Sequence, residues 1–150
     1  GLEVWYPMFE LEHHVRVFVF QVLDSAVEYL LLRQKPIEEW PLGPVVGSIG
    51  PSEHLRDAVV REVAEETGIH NPLHVFDLSR PTKELFGDVG MVEWSFAYQA
   101  GAPASPVASL EPGPRVGEFA WLGFEEAFHQ IGRVRDREAL VKLQLYLHAG

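Results

Sequence analysis

Three glutamates, Glu62, Glu65 and Glu66, fall at i, i+3 and i+4 of a segment whose pattern predicts a helix. At about 100° per residue, Glu66 lies roughly 40° to one side of Glu62 and Glu65 about 60° to the other, so the three carboxylates share a face. The same arithmetic places Leu55, Ala58 and Val59 within about 60° of Glu62, and the acidic cluster therefore continues the helix's apolar stripe. A carboxylate on a core-facing stripe is costly to bury unless it is protonated, paired or bound to a cation. A solvated acidic run would occupy the opposite face. The chemistry that fits is a divalent-metal site: hard cations such as Mg²⁺ prefer oxygen ligands and keep several waters, so two or three carboxylates suffice.

The residues on either side extend the cluster into a longer string, Gly47-x5-Glu53-x7-Arg61-Glu62-Val63-x-Glu65-Glu66-x-Gly68-Ile69. This string resembles the complete signature of the Nudix (MutT-like) hydrolases, with every fixed position filled. Nine specified positions across 23 residues make it far more specific than a lone glycine motif. The resemblance implies a Nudix-type α/β/α sandwich of the α/β (α+β) class, with a mixed sheet between helices. It also implies an Mg²⁺- or Mn²⁺-dependent enzyme that hydrolyses a nucleoside diphosphate linked to a further group. By the same resemblance Glu62 and Glu66 are the firmest metal ligands, Glu65 follows closely, and Arg61 orients the acidic cluster. Arg61 can also pair with Glu65 one helical turn on. Glu53 matches the first glutamate of the signature, but the helical wheel sets it about 180° from Glu62, which favours a structural or outer role. Gly47 and Gly68 read as backbone choices, for close approach to the site and for stopping the helix.

The elements that must position this cluster can be read from the pattern. His14 to Leu23 is apolar on both faces and predicts a buried central strand, followed by a tight turn at Asp24-Ser25 and a second strand over Val27 to Arg33. A loop carrying Trp40 leads to a short strand, Val45–Ser48, and then to the acidic helix, for which Ser52 is an acceptable N-cap and Gly68 the expected stop. Strands are predicted at Leu73 to Leu78, Val89 to Gln99 and Glu118 to Leu122, and helices at Phe124–Gln130 and Asp136–His148. In Val89 to Gln99 the large side chains Val92, Trp94, Phe96 and Tyr98 alternate onto one face, taken as the core side, and Glu93 onto the other. Ala100 to Pro114, rich in Gly, Ala, Pro and Ser, reads as a long surface loop within one domain spanning 1–150.

Outside the signature the candidates divide between function and packing. Glu118 stands ahead of Phe119-Ala120-Trp121-Leu122, an arrangement similar to one found in the resembled family, where such a glutamate serves as general base or extra metal contact. An exposed loop carboxylate is an equal reading. Arg16, Arg33 and Lys35 sit at strand ends where they could meet phosphate, although such residues are more often simply solvated. Trp40 and Phe86 lie in loops and could stack on a base or pterin ring. The seven histidines show no metal-ligand spacing. Val46 in place of the glycine usual before Gly47, together with Glu118 to Leu122 and Arg137-Glu138-Ala139, resembles dihydroneopterin triphosphate and related nucleoside triphosphate pyrophosphatases.

Composition bounds these readings. A chain of 150 residues, 47% hydrophobic, can bury one core. No apolar run reaches the length of about 18 residues needed to span a membrane. The absence of cysteine excludes disulfides and thiol catalysis, and with no secretory signal in view it is compatible with a cytoplasmic location. A net charge of −10 argues against a nucleic-acid backbone as partner and favours a small, metal-chelated phosphorylated substrate. Members of the resembled family are often homodimers, while nothing in the sequence marks an interface. The expectation is a pyrophosphohydrolase acting on a small nucleotide or pterin di- or triphosphate. The alternatives are a non-catalytic nucleotide-binding module, or a hydrolase of ADP-ribose, dinucleoside polyphosphates or RNA ends.

Overall fold

The β-branched and aromatic run near the start of the chain forms the centre of the sheet, as its two-sided hydrophobicity requires. The computed structural model describes residues 10–86 and 89–149. Its elements are β1 (Glu10–Val22), β2 (Val27–Gln34), β3 (Val45–Ser48), α1 (Leu55–Thr67), β4 (His74–Asp77), β5 (Thr82–Phe86), β6 (Val89–Gly101), β7 (Val116–Leu122), α2 (Phe124–Gln130) and α3 (Val134–Ala149). The seven strands make one mixed sheet ordered β4-β6-β1-β2-β7, with β3 paired to β1 and β5 to β6. Only β1 and β6 run parallel, over a ladder from Glu10↔Val89 to Gln21↔Gly101; the other strand pairs are antiparallel.

Alternation along β1 assigns the two faces. Val15, Val17 and Val19 pack with Leu30, Phe96 and Tyr98 beneath Ala58, Val59 and Val63 of α1. Phe18 and Phe20 point the other way and pack with Tyr29, Leu31 and Ala97 against Leu140 and Leu143 of α3. Each of these large apolar side chains contributes roughly 1.5–3 kcal/mol on burial, so both helical layers are tied firmly to the sheet. Arg16 shares the face of Phe18 and Phe20 and is buried too, which demands partners: Nε and Nη2 donate to Asp136 of α3 at 2.9 and 2.5 Å, and Nη1 to Glu93 at 3.2 Å. Burial works against the Arg16 charge, but the two carboxylates more than offset it and its pKa moves up.

Four expectations change in detail. Thr82–Phe86 is a strand, β5, rather than loop. Trp94 is only half-buried at the margin of the core, its indole stacked on His13 and its Nε1–H donating to His13 Nδ1 at 3.2 Å. Ser52 does not cap α1: it has φ +60° inside a tight turn, and His54 occupies the N-cap position. The segment after β6 is a strap rather than a free surface loop, with Val107 and Leu110 packed on the core and its backbone bonded to the end of α1.

Tyr98 is fully buried, and its hydroxyl has no hydrogen-bond partner among the described residues. Burial pushes its phenol from 10.0 up to about 12. The folded state thus favours the protonated form, so this contribution to stability is complete below about pH 10 and is lost as pH rises toward about 12. Tyr29 is shifted in the same direction by burial. Tyr98→Phe is expected to leave the protein as stable at neutral pH, or up to about 1–3 kcal/mol more stable, because an unpaired polar group is removed. It should also flatten, without abolishing, the alkaline fall in the urea midpoint.

Candidate active site

Helix α1 ends where the sequence ends it. Gly68 adopts φ +77°, the left-handed conformation favoured for glycine, and its N–H bonds to Ala64 O at 2.9 Å. At the other end, Glu53 lies outside the helix, in the turn before it, which sets aside the wheel angle assumed for it. Its Oε1 accepts the Gly50 N–H at 2.8 Å, and its carboxylate takes Nε and Nη2 of Arg61 at 2.7 and 2.9 Å. These bonds hold the Glu53 carboxyl at about 2, well below its usual 4.5. Arg61 also donates Nη1 to Glu62 at 2.8 Å and to Glu65 at 3.3 Å, and Nη2 to Ser48 O at 2.8 Å. One guanidinium thus ties the turn, β3 and two glutamates of the cluster together.

The three glutamates are not equivalent. Glu62 and Glu66 are buried, whereas the Glu65 side chain is 53% exposed. Glu62 lies over Gly47 on β3 so closely that a Cβ there would fall 1.9 Å from its carboxyl carbon. Its Oε1 is tied to Arg61, but Oε2 is buried without a hydrogen-bond partner among the described residues. Burial pushes the Glu62 carboxyl up, with Arg61 pulling in the opposite direction. Arg115, just ahead of β7, places Nη2 2.7 Å from Glu66 Oε1 and 3.8 Å from Glu62 Oε2, the latter too long for a hydrogen bond.

As placed, no three His, Asp or Glu side chains among the described residues converge tightly enough to enclose a metal ion. Arginines hold the carboxylates instead. The donor set nonetheless fits a hard divalent cation: every ligand atom is oxygen, one buried carboxylate oxygen is orphaned, and the glycine beneath leaves room for it. Glu66 and Arg115 also line a cleft of about 380 Å³, shared with Trp40 and Met91 and with the buried trio Arg16, Glu93 and Asp136. An anionic cluster opening into a cleft of mixed polarity suits a small ligand with a phosphate tail and a larger head.

A family model described as NUDIX domain matches residues 12–143. The chain belongs to the Nudix family. That membership, with every position of the signature filled, makes it a phosphoanhydride hydrolase in class. No curated protein matches it by sequence. Solved Nudix structures share its fold at low identity. A Caenorhabditis elegans Ap4A hydrolase binary complex superposes with a TM-score of 0.76 at 16% identity, covering 93% of this chain and 99% of that one. The Escherichia coli dihydroneopterin triphosphate pyrophosphohydrolase gives 0.69 at 18%, covering 89% and 95%. The NUDIX domain of Shewanella oneidensis NrtR, complexed with ADP ribose, gives 0.72 at 14%, covering 98% and 93%.

Within this Nudix fold the outlying candidates scatter. Arg33 and Glu118 are cross-strand partners on β2 and β7, joined by Nε···Oε1 at 2.5 Å, and neither lines the cleft. Arg33 also donates to the Trp40 carbonyl at 2.7 Å, which fixes the loop that brings the 43% exposed Trp40 to the cleft wall. The backbone of Phe86 ends β5, and its side chain lies outside the described residues. Glu93 is buried and paired with Arg16. Arg115 was missed altogether, because an arginine in a Pro-Gly-Pro-flanked loop carries no periodicity to mark its direction. No helix among the described residues is long and apolar enough to cross a membrane.

Proposed function

We propose that this Nudix protein is a metal-dependent pyrophosphohydrolase of a small nucleotide or pterin di- or triphosphate, working in the cytoplasm and taking no nucleic acid. The observation that carries the reading is Glu62 Oε2, a buried carboxylate oxygen beside Glu66 with no hydrogen-bond partner among the described residues. Glu62, Glu66 and, from the exposed side, Glu65 are the residues that would hold Mg²⁺ or Mn²⁺. When bound, the ion supplies positive charge against the phosphate oxygens and makes water easier to deprotonate.

The protein's own share is positioning. Arg61 fixes the Glu62 and Glu65 carboxylates relative to β3, and Gly47 lets the cluster sit close to the strand. A carboxylate of the cluster accepts the proton of the attacking water. The cleft, with Trp40 and Met91 on its wall, receives the head group. The chain's acidity, −10 overall, leaves few cations to hold a polyphosphate and makes activity depend on the metal.

The test is a panel of nucleoside triphosphates, dihydroneopterin triphosphate, ADP-ribose, dinucleoside polyphosphates and capped RNA, with Mg²⁺ or Mn²⁺. Phosphate and pyrophosphate release are followed beside a Glu66→Gln control. Metal-dependent release that disappears in the control supports the hydrolase and identifies its substrate. Tight nucleotide binding with no release from any compound would replace it with a non-catalytic Nudix module.

A further inference from the structure

Two arginines neutralise the carboxylate cluster, and they are built differently. Arg61 is locked, donating to Glu53, Glu62, Glu65 and the Ser48 carbonyl at once. Among the described residues the Arg115 guanidinium makes one hydrogen bond, to Glu66 at 2.7 Å, and its side chain is 57% exposed. Its backbone has no such freedom. The Glu111 N–H caps Thr67 O at 2.9 Å, the Gly113 N–H caps Glu66 O at 3.1 Å, and Val116 is buried at the start of β7. The strap is therefore fastened to the last carbonyls of α1, and the half-exposed Arg115 side chain projects from it toward the cluster.

Resting on the hydrolase reading above, we propose that Arg115 is an exchangeable counter-ion, passed between Glu66 of the cluster and a phosphate group of the substrate. A divalent cation held by Glu62 and Glu66 would compete with this guanidinium, which lies 2.7 Å from Glu66 Oε1 and 3.8 Å from Glu62 Oε2, because repulsion between like charges disfavours both at once. Displaced from Glu66, the guanidinium stays tethered at the wall of the same cleft. There its planar fork of donors suits a phosphate, to which it can bond in bidentate fashion. Cation and phosphate then bind better together than singly: the cation frees the arginine and the phosphate gives it a new partner. By linkage the coupling is reciprocal.

Binding of Mn²⁺ alone is measured by the paramagnetic resonance signal of the free ion, for wild type, Arg115→Gln and Arg115→Lys. Arg115→Gln is expected to take up Mn²⁺ roughly three- to tenfold more tightly, the range expected for losing a charged competitor that is half in solvent. Its melting temperature should fall modestly, because the buried Glu66 carboxylate loses its hydrogen-bond partner, and Arg115→Lys, which keeps the charge, should stay near wild type. At saturating Mn²⁺, the KM of Arg115→Gln for the substrate found in the panel should rise several-fold, with kcat moving less. Unchanged or weaker Mn²⁺ binding in a folded Arg115→Gln overturns the proposal. Tighter Mn²⁺ binding with an unmoved KM overturns the transfer to phosphate. Wild-type protein that takes up no Mn²⁺ overturns the hydrolase reading as well.

Discussion

Glu62→Gln and Glu66→Gln are each expected to lower kcat by about 10³ or more, equivalent to roughly 4 kcal/mol of barrier, with the fold intact. The amide keeps the shape of the carboxylate and removes the negative charge, which is the property a cation-binding cluster depends on. Stability should move little, and at Glu62 it should move in an informative direction. That carboxylate is buried, one of its oxygens is unpaired, and burial pushes its pKa up. A neutral isostere relieves part of this cost while giving up a charged partner of Arg61, which retains Glu53 and Glu65, and a longer 3.8 Å pair with Arg115. Glu62→Gln is therefore expected to melt at or slightly above the wild-type temperature while losing activity, the pattern of a site that sacrifices stability for function. Glu65→Gln should also lose activity strongly, with a negligible effect on melting because that side chain is exposed. Thermal melting, Mn²⁺ uptake and turnover on the same preparations separate the effects. Full activity in Glu66→Gln would end the assignment.

The sequence disclosed the parts of this molecule that repeat a pattern. Helix α1 was readable because Ala58, Val59, Glu62, Val63 and Glu66 keep to one face, and burial in the structure follows that face closely. The central strand and the β3 entry were readable from β-branched runs. What escaped depends on contacts distant in sequence. Thr82–Phe86 is held as a strand by its ladder with β6, from Thr82↔Glu93 to Phe86↔Val89, and has too little alternation of its own to announce itself. The capping preference of serine points to Ser52, but the Gly50–Glu53 turn shifts the helix start two residues on, to a His54 N-cap. Arg33 and Glu118 each looked available for chemistry singly. Their pairing across β2 and β7 follows from strand order, which no local window contains. Likewise, Glu93 reads as a strand residue until Arg16 and Asp136, from β1 and α3, are brought beside it. Arg115 is the sharpest instance: its place at the cluster comes from two backbone bonds between the strap and the end of α1.

Gly47→Ala should disable the enzyme almost as thoroughly as Glu62→Gln, although alanine adds a single methyl group and touches no ligand chemistry. The added Cβ would stand 1.9 Å from Glu62 Cδ, 2.1 Å from Oε2 and 2.4 Å from Oε1, far inside van der Waals contact. Something must move, and the helix cannot. Ala58, Val59 and Val63 are fully buried against the sheet, so backing α1 away would open the core that holds both layers. Nor can β3 recede readily, since Gly47 pairs with Val15 in the ladder to β1. The Glu62 carboxylate is left to swing aside, stretching its 2.8 Å bond from Arg61 and carrying Oε2 away from Glu66. A displacement of about 1 Å in a catalytic constellation typically costs around 10²-fold in rate. Because the clashing atoms are the far end of a flexible side chain, the loss of stability should lie at the low end of the about 1–3 kcal/mol typical of overpacking. The two effects part in double variants. Gly47→Ala with Glu62→Gln should be hardly less active than Glu62→Gln alone, because both changes remove the same charge from the same place. Gly47→Ala with Glu62→Ala should regain much of the lost stability, since the clashing carboxylate is gone, yet remain inactive. Wild-type turnover in Gly47→Ala would mean that the position of Glu62 is immaterial, and that the close approach of β3 to α1 serves packing alone.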